Sequence, residues 1–190
     1  MTPRVDIAST IHKAVRRILF TQSMDLARTD FREASECRKT TDGVLRALEL
    51  LHEHAEHEDT VVFPAVAAED RSVAAAAARD HAALEETMRE IGRLAVTLSA
   101  VTPGERPEIG RKLTVLWNRF VGDQLRHLAF EESEVSAVLL RAHTDEELIA
   151  MRARIQATVP PDRAPIWMDL LLSSVDPVER AAMEAAMPGA

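Results

Sequence analysis

The sequence predicts an all-α protein, an up-down-up-down four-helix bundle with a C-terminal helical extension. Three observations point there. Ala and Leu abound, aromatic residues make up only 4% of the chain and tyrosine is absent, a composition that favours helix packed on helix over sheet. Apolar residues recur at three- and four-residue spacing through four long stretches, the signature of helices with one buried face. Short polar or proline-containing breaks separate the stretches, which makes consecutive helices antiparallel neighbours. With 190 residues, 46% of them hydrophobic and 28% charged, the chain is long enough for a sizeable core.

The first helix runs from Val5 to about Ala27, with Ala8, Ile11, Val15 and Leu19 on one face. The polar stretch TDFREASECRKTTDG follows, and Thr41 or Asp42 is placed to cap the second helix. That helix passes through LHEHAEHEDTVVFP and ends near Phe63-Pro64, because proline disfavours helical geometry in the residue before it. The third helix starts near Asp70 and continues through VAAAAARDHAALEETMREIGRLAVTL until Thr102-Pro103-Gly104 breaks it. The fourth spans about Pro107 to Ala142, with its proline in the first turn, where the missing N–H is no loss. Thr144 and Glu147 form a capping box that opens a fifth helix. Two short helical pieces follow, around IWMDLLLSS and PVERAAMEAAM. No domain boundary is evident: residues 1–143 make the bundle, and residues 144–190 an extension packed on it.

A net charge of -8 without a basic stripe argues against nucleic acid, whose binding runs on clustered Lys and Arg. No segment is long and apolar enough to span a bilayer, and the N-terminus has no apolar signal region. The single cysteine, Cys37, excludes an intramolecular disulfide and suits a reducing compartment, so a cytoplasmic protein is expected. Cys37 itself reads as a structural residue or a surface thiol.

Three of the seven histidines crowd into the acidic run at Leu51 to Pro64. A residue four places along a helix returns to within roughly 40° of its starting direction. On the second helix the apolar stripe contains Ala47, Leu51 and Val61; His54 lies within it, with Glu58 one turn further on. His52 points to the other side and His57 is borderline. The fourth helix repeats the arrangement, with Leu113, Leu116, Phe120 and Val138 sharing a face with His127 and Glu131. His12 sits between Ala8 and Val15 on the first helix, and His81 goes with Leu84, Met88 and Ile91 on the third. The spacings 54 − 12 = 42 and 127 − 81 = 46 suggest a duplicated hairpin, each half supplying His and then His-x-x-x-Glu, followed by a second acid.

A lone histidine on an apolar stripe is usually a hydrogen-bonded core residue. Two inward glutamates with four histidines and no inward Lys or Arg are different, because an unpaired buried carboxylate is very costly. A metal supplies the missing positive charge. Mixed imidazole and carboxylate donors fit iron, manganese or zinc, not magnesium or calcium. Six of them exceed one tetrahedral zinc and suit two metals bridged by carboxylates. The His-Glu-x-x-His spacing of zinc proteases is absent. The Glu-x-x-His pattern of ferritin-like dimetal bundles occurs only at Glu49–His52, with His52 facing outward.

TIHKAVR around His12, HAEHEDTVVFP with His54 and Glu58, RDHAALE with His81, and HLAFEESEV with His127 and Glu131 together resemble the hemerythrin-like (HHE cation-binding) domains. The likeness covers roughly the first 140 residues. It implies a four-helix bundle around two iron ions in an oxo- or hydroxo-bridged di-iron centre. His12, His54, His81 and His127 would be terminal ligands, and Glu58 and Glu131 bridging carboxylates. The C-terminal helices, including Trp167, resemble the tails of bacterial members. One departure stands out: the oxygen carriers have a second histidine four residues after the one on the third helix, and here that place is Glu85. Glu85 is either a further ligand or an exposed helix residue beside Glu86.

The function this implies is a non-haem di-iron protein that binds and reacts with dioxygen, peroxide or nitric oxide. The alternative is a non-catalytic iron or redox sensor, or a small iron store. A metal-free interaction bundle would need all six inward polar groups satisfied by hydrogen bonds. Expected partners are those small ligands, with self-association or a protein partner through the C-terminal helices, and neither nucleic acid nor membrane.

Overall fold

The computed structural model describes residues 4–185, and they contain helices and no strand. The helices are α1 (Ser9–Arg28), α2 (Ala34–His57), α3 (Phe63–Glu69), α4 (Arg71–Ala100), α5 (Arg106–Phe130), α6 (Ser136–Ala142), α7 (Asp145–Thr158), α8 (Ala164–Ser174) and α9 (Pro177–Ala185). A π-helical turn, Glu58–Val62, joins α2 to α3, and a second, Glu131–Val135, joins α5 to α6. Four rods result, each packed on the next in the cycle α1, α2, α4, α5 and back to α1. This is the four-helix bundle expected from the apolar spacing. The expected C-terminal pieces are α8 and α9; Ala186 and Met187 of the second piece lie outside the described residues.

Three boundaries differ from expectation. The first helix begins at Ser9 instead of Val5, because the Asp6 carboxylate accepts from the backbone N–H groups of Ala8 and Ser9 and holds that segment in a turn. The second begins at Ala34, well before Thr41. Thr40 and Thr41 are buried inside it, with Thr41 Oγ1 donating to the Arg38 carbonyl and Thr40 Oγ1 hydrogen-bonded to Thr29 Oγ1 across to α1. Hydroxyls satisfied in this way have no need of a cap position. Nor does Phe63-Pro64 end the rod. Phe63 N–H donates to the Glu58 carbonyl five residues back, and Pro64 falls in the first turn of α3, where proline is tolerated. The remaining caps match the sequence: Asp70 accepts from Ser72 and Val73 N–H, and Thr144 and Glu147 close a reciprocal capping box.

Two apolar clusters fill the bundle. The larger runs from Val15 and Leu19 through Leu51, Leu84 and Met88 to Trp117, Phe120 and Leu128. The smaller contains Val61, Val62, Phe63 and Val66 with Val135, Val138 and Leu139, and is covered by Leu148 and Met151 of α7. His12, His54, Glu58, His81, His127 and Glu131 are all buried. Cys37 is buried as well, so of its two readings the structural one holds. Helix α8 packs along α1. Its Trp167 indole N–H donates to Glu53 Oε2 at 2.9 Å, and Arg163 pairs with Glu53 at 2.7 Å.

Gly110 shows how tightly the far end is built. A methyl group there would lie 2.7 Å from Phe31 Cε2 and closer still to Cγ and Cδ2. Gly→Ala inside a helix gains roughly 1 kcal/mol in propensity, whereas overpacking costs about 1–3 kcal/mol. The ring is met at its stem, so the clash outweighs the gain. Gly110→Ala is therefore expected to lower the thermal midpoint, and a rise in a melting experiment would show that Phe31 moves aside freely.

Candidate metal centre

Four rods each deliver one imidazole to a single layer. On α2 and α5 the histidine sits in the last turn, and a π turn opens immediately after it, with a glutamate as its first residue. The two turns are built alike: Phe63 N–H reaches back to the Glu58 carbonyl, and Ser136 N–H to the Glu131 carbonyl. Extra residues of this kind inside helices occur frequently at functional sites. Here they let three consecutive residues, Val61, Val62 and Phe63, all be buried, which a regular amphipathic stripe would not permit.

The six side chains converge in two overlapping groups. His12, His54, Glu58 and Glu131 offer donor atoms that all lie within 4.8 Å of one another, and so do Glu58, His81, His127 and Glu131. Both carboxylates belong to both groups. His12 Nε2 is 3.5 Å from Glu58 Oε1 and 3.4 Å from Glu131 Oε2; His54 Nε2 is 3.3 Å from Glu58 Oε1. On the other side His81 Nε2 is 3.5 Å from Glu58 Oε2 and 3.9 Å from Glu131 Oε1, and His127 Nε2 is 3.2 Å from Glu131 Oε1. Rings of the same group lie against each other, His12 with His54 at 5.4 Å and His81 with His127 at 4.6 Å between centroids. Phe63 packs on His81 at 4.8 Å.

Within the layer, burial and the charges of neighbouring groups pull against each other. Burial pushes the His54 imidazole down to about 4, against the attraction of Glu58. Burial opposes charge on His81 too, yet Glu58 and Asp59 outweigh it and raise His81 to about 9. Glu131 is raised by burial and by the charge of Glu58 beside it. Burial works against Glu58 as well, but His54, His12 and His81 together hold it below the ordinary carboxylate range.

The donor set fits a bound cation. His12 Nε2, His54 Nε2, His127 Nε2, Glu58 Oε2 and both Glu131 oxygens are buried without a hydrogen-bond partner. Orphaned buried polar atoms are costly, and among the described residues no Lys or Arg pairs with Glu58 or Glu131. Cations held by the two groups would give each of these atoms a partner. Imidazole with carboxylate is the chemistry of transition-metal ions.

Behind the layer stand groups that the sequence reading left without a role. Carboxylates only accept hydrogen bonds, so a histidine nitrogen beside one is the donor. His12 Nδ1 donates to Glu132 Oε1 at 3.0 Å, and both Glu132 oxygens are gripped by Arg16 at 2.8 and 3.0 Å. His81 Nδ1 donates to Asp59 Oδ1 at 2.9 Å. His127 Nδ1 comes only within 3.6 Å of Asp80. The second acid after each His-x-x-x-Glu was visible in the sequence; which histidine it meets was not, because that histidine lies on another rod.

His52 and Glu85 face away. His52 Nδ1 meets Glu85 Oε2 at 3.2 Å across α2 and α4, and Arg89 lies 3.9 Å from the other Glu85 oxygen. Of the two readings of Glu85, the structure has the outer one. His57 is half-buried and outside both groups.

Four antiparallel rods around a buried layer of histidine and glutamate define a cation-binding four-helix bundle. The family model described as the hemerythrin HHE cation binding domain matches residues 5–139, and the chain belongs to that family. No curated protein and no solved structure matches it. No helix among the described residues is long and apolar enough to cross a membrane.

Proposed function

We propose that the chain is a non-haem di-iron protein that binds and reacts with dioxygen, peroxide or nitric oxide. One observation carries the reading: two four-donor groups share both of their carboxylates, the arrangement that two adjacent metal ions need. In this reading His12 and His54 would hold one iron, His81 and His127 the other, and Glu58 and Glu131 would serve both. An iron pair so held would supply electrons and Lewis acidity to a small oxygen or nitrogen ligand.

The protein's own contribution is to fix the donors and keep the site dry. Asp59 and Glu132 accept hydrogen bonds from Nδ1–H of His81 and His12, which fixes the tautomer in which each Nε2 lone pair faces inward. Phe63 and the apolar clusters on either side exclude bulk water. Residues 1–143 carry the centre, and residues 144–190 are an extension on it, a division supported by the Trp167–Glu53 and Lys13–Glu179 contacts between tail and bundle.

Metal analysis with an optical spectrum, on protein purified under iron-replete conditions, tests the assignment. Two irons per chain with a near-ultraviolet charge-transfer band in the oxidised state are expected. One zinc, with no iron retained on reconstitution, would contradict it. The outward Glu85 leaves the centre one nitrogen short of the oxygen carriers, so oxygen added to the anaerobically reduced protein should oxidise it irreversibly. Full return to the reduced spectrum under vacuum would instead indicate a carrier.

A further inference from the structure

Two of the four histidines in the layer are backed by a carboxylate at hydrogen-bond distance, and they belong to different groups. His12 is backed by Glu132, and His81 by Asp59. The pattern is crossed. Asp59 follows Glu58 on the second rod and reaches forward to the third; Glu132 follows Glu131 on the fourth and reaches round to the first. Each π turn thus begins with a carboxylate that serves both groups and continues with one that serves a single histidine. The surroundings of the two acids differ. Glu132 is neutralised by a two-pronged Arg16, whereas Asp59 is half-exposed and has no cation beside it among the described residues.

We infer that Asp59 and Glu132 are positioning residues, each setting the tautomer and ring orientation of one metal ligand, so that each controls the affinity of one of two metal ions and not the other. A histidine whose Nδ1 proton is held by a carboxylate keeps the lone pair of Nε2 aimed at the site and is a more basic donor. Among the described residues His54 has no such carboxylate, and His127 has one only at 3.6 Å. Within each pair, therefore, one imidazole is backed by a carboxylate at hydrogen-bond distance and the other is not. Loss of the acid should leave the other group intact. The inference rests on the dinuclear reading above.

The test is titration of metal-stripped full-length protein with cobalt(II), in competition with a chelator, read by the visible absorbance of the bound ion. Wild type should take up two cobalt ions. Asp59→Ala should keep one at near wild-type affinity and bind the other about 10–100-fold more weakly, the usual cost of losing such a partner. Glu132→Ala should do the same, and the double variant should weaken both. Asp59→Asn, whose amide oxygen still accepts the bond, should recover most of the loss. Arg16→Gln removes the surface ion pair while sparing the Glu132–His12 bond, and should retain both ions. Thermal midpoints of all variants without metal should stay close to wild type, which a merely structural role would not allow. Two tight cobalt ions in both alanine variants would overturn this inference alone. Fewer than two in wild type would overturn the dinuclear reading and the inference with it.

Discussion

Glu58→Ala is expected to abolish binding of both metal ions, while His52→Ala, six residues earlier on the same rod, binds them as wild type does. Glu58 stands in both donor groups and within 3.5 Å of three histidines, so its loss opens both sites together. His54→Ala removes a donor from one group only, and should cost the first ion before the second. His52 is mostly exposed and paired with Glu85, a surface contact worth little. The stability consequence follows from linkage. A metal present at 1,000 times its dissociation constant stabilises the fold by about 4 kcal/mol, roughly 8–16 °C in a domain of this size. Melting with and without metal should show that shift for wild type and His52→Ala, and none for Glu58→Ala. If His52→Ala strips the metal as well as His54→Ala does, the facing assigned to α2 is wrong.

Trp117→Ala should unfold far more easily than wild type, by about 3–5 kcal/mol, and yet, where it folds, bind the same number of metal ions. Trp117 is fully buried in the larger cluster, tilted against Phe120 at 5.7 Å, with its indole N–H donating to Ser23 Oγ at 3.1 Å. The alanine leaves a large cavity and removes one hydrogen bond to Ser23 Oγ, which still donates to the Leu19 carbonyl, and few neighbours can collapse into the gap between α1 and α5. His127 lies ten residues further on, about 15 Å along the helix axis, so the metal layer is not directly touched. Trp117→Phe, keeping most of the ring volume, should lose less. Denaturant unfolding measures both, and a loss under about 1 kcal/mol for the alanine would mean that the ring carries little of the core.

Much of this was legible because helical periodicity is a strong local signal. His12, His54, His81 and His127 stand in apolar stripes, and all four are buried in one layer. Thr144 and Glu147 announce the start of their helix by type and spacing, and the structure has that capping box. What was hidden is tertiary. The start of α2 was misplaced because the hydroxyls of Thr40 and Thr41 find partners within the bundle, and a sequence shows only that such residues suit caps. The π turns change the register of the rod, and the one trace of them was the apolar run Val61, Val62, Phe63, too wide for a regular stripe. The direction of Glu85 is decided by His52 on a neighbouring rod, and the roles of Asp59 and Glu132 by histidines far away in the chain. Spacing along a single helix carries none of that.

The most direct test of a two-metal centre held by these six side chains is the anomalous diffraction signal of an iron-loaded crystal at the iron absorption edge. Two peaks are expected inside the bundle, one about 2 Å from His12 and His54 Nε2 and the other about 2 Å from His81 and His127 Nε2, with Glu58 and Glu131 touching both. A single peak, or iron lodged at the outer His52–Glu85 pair, would contradict the account.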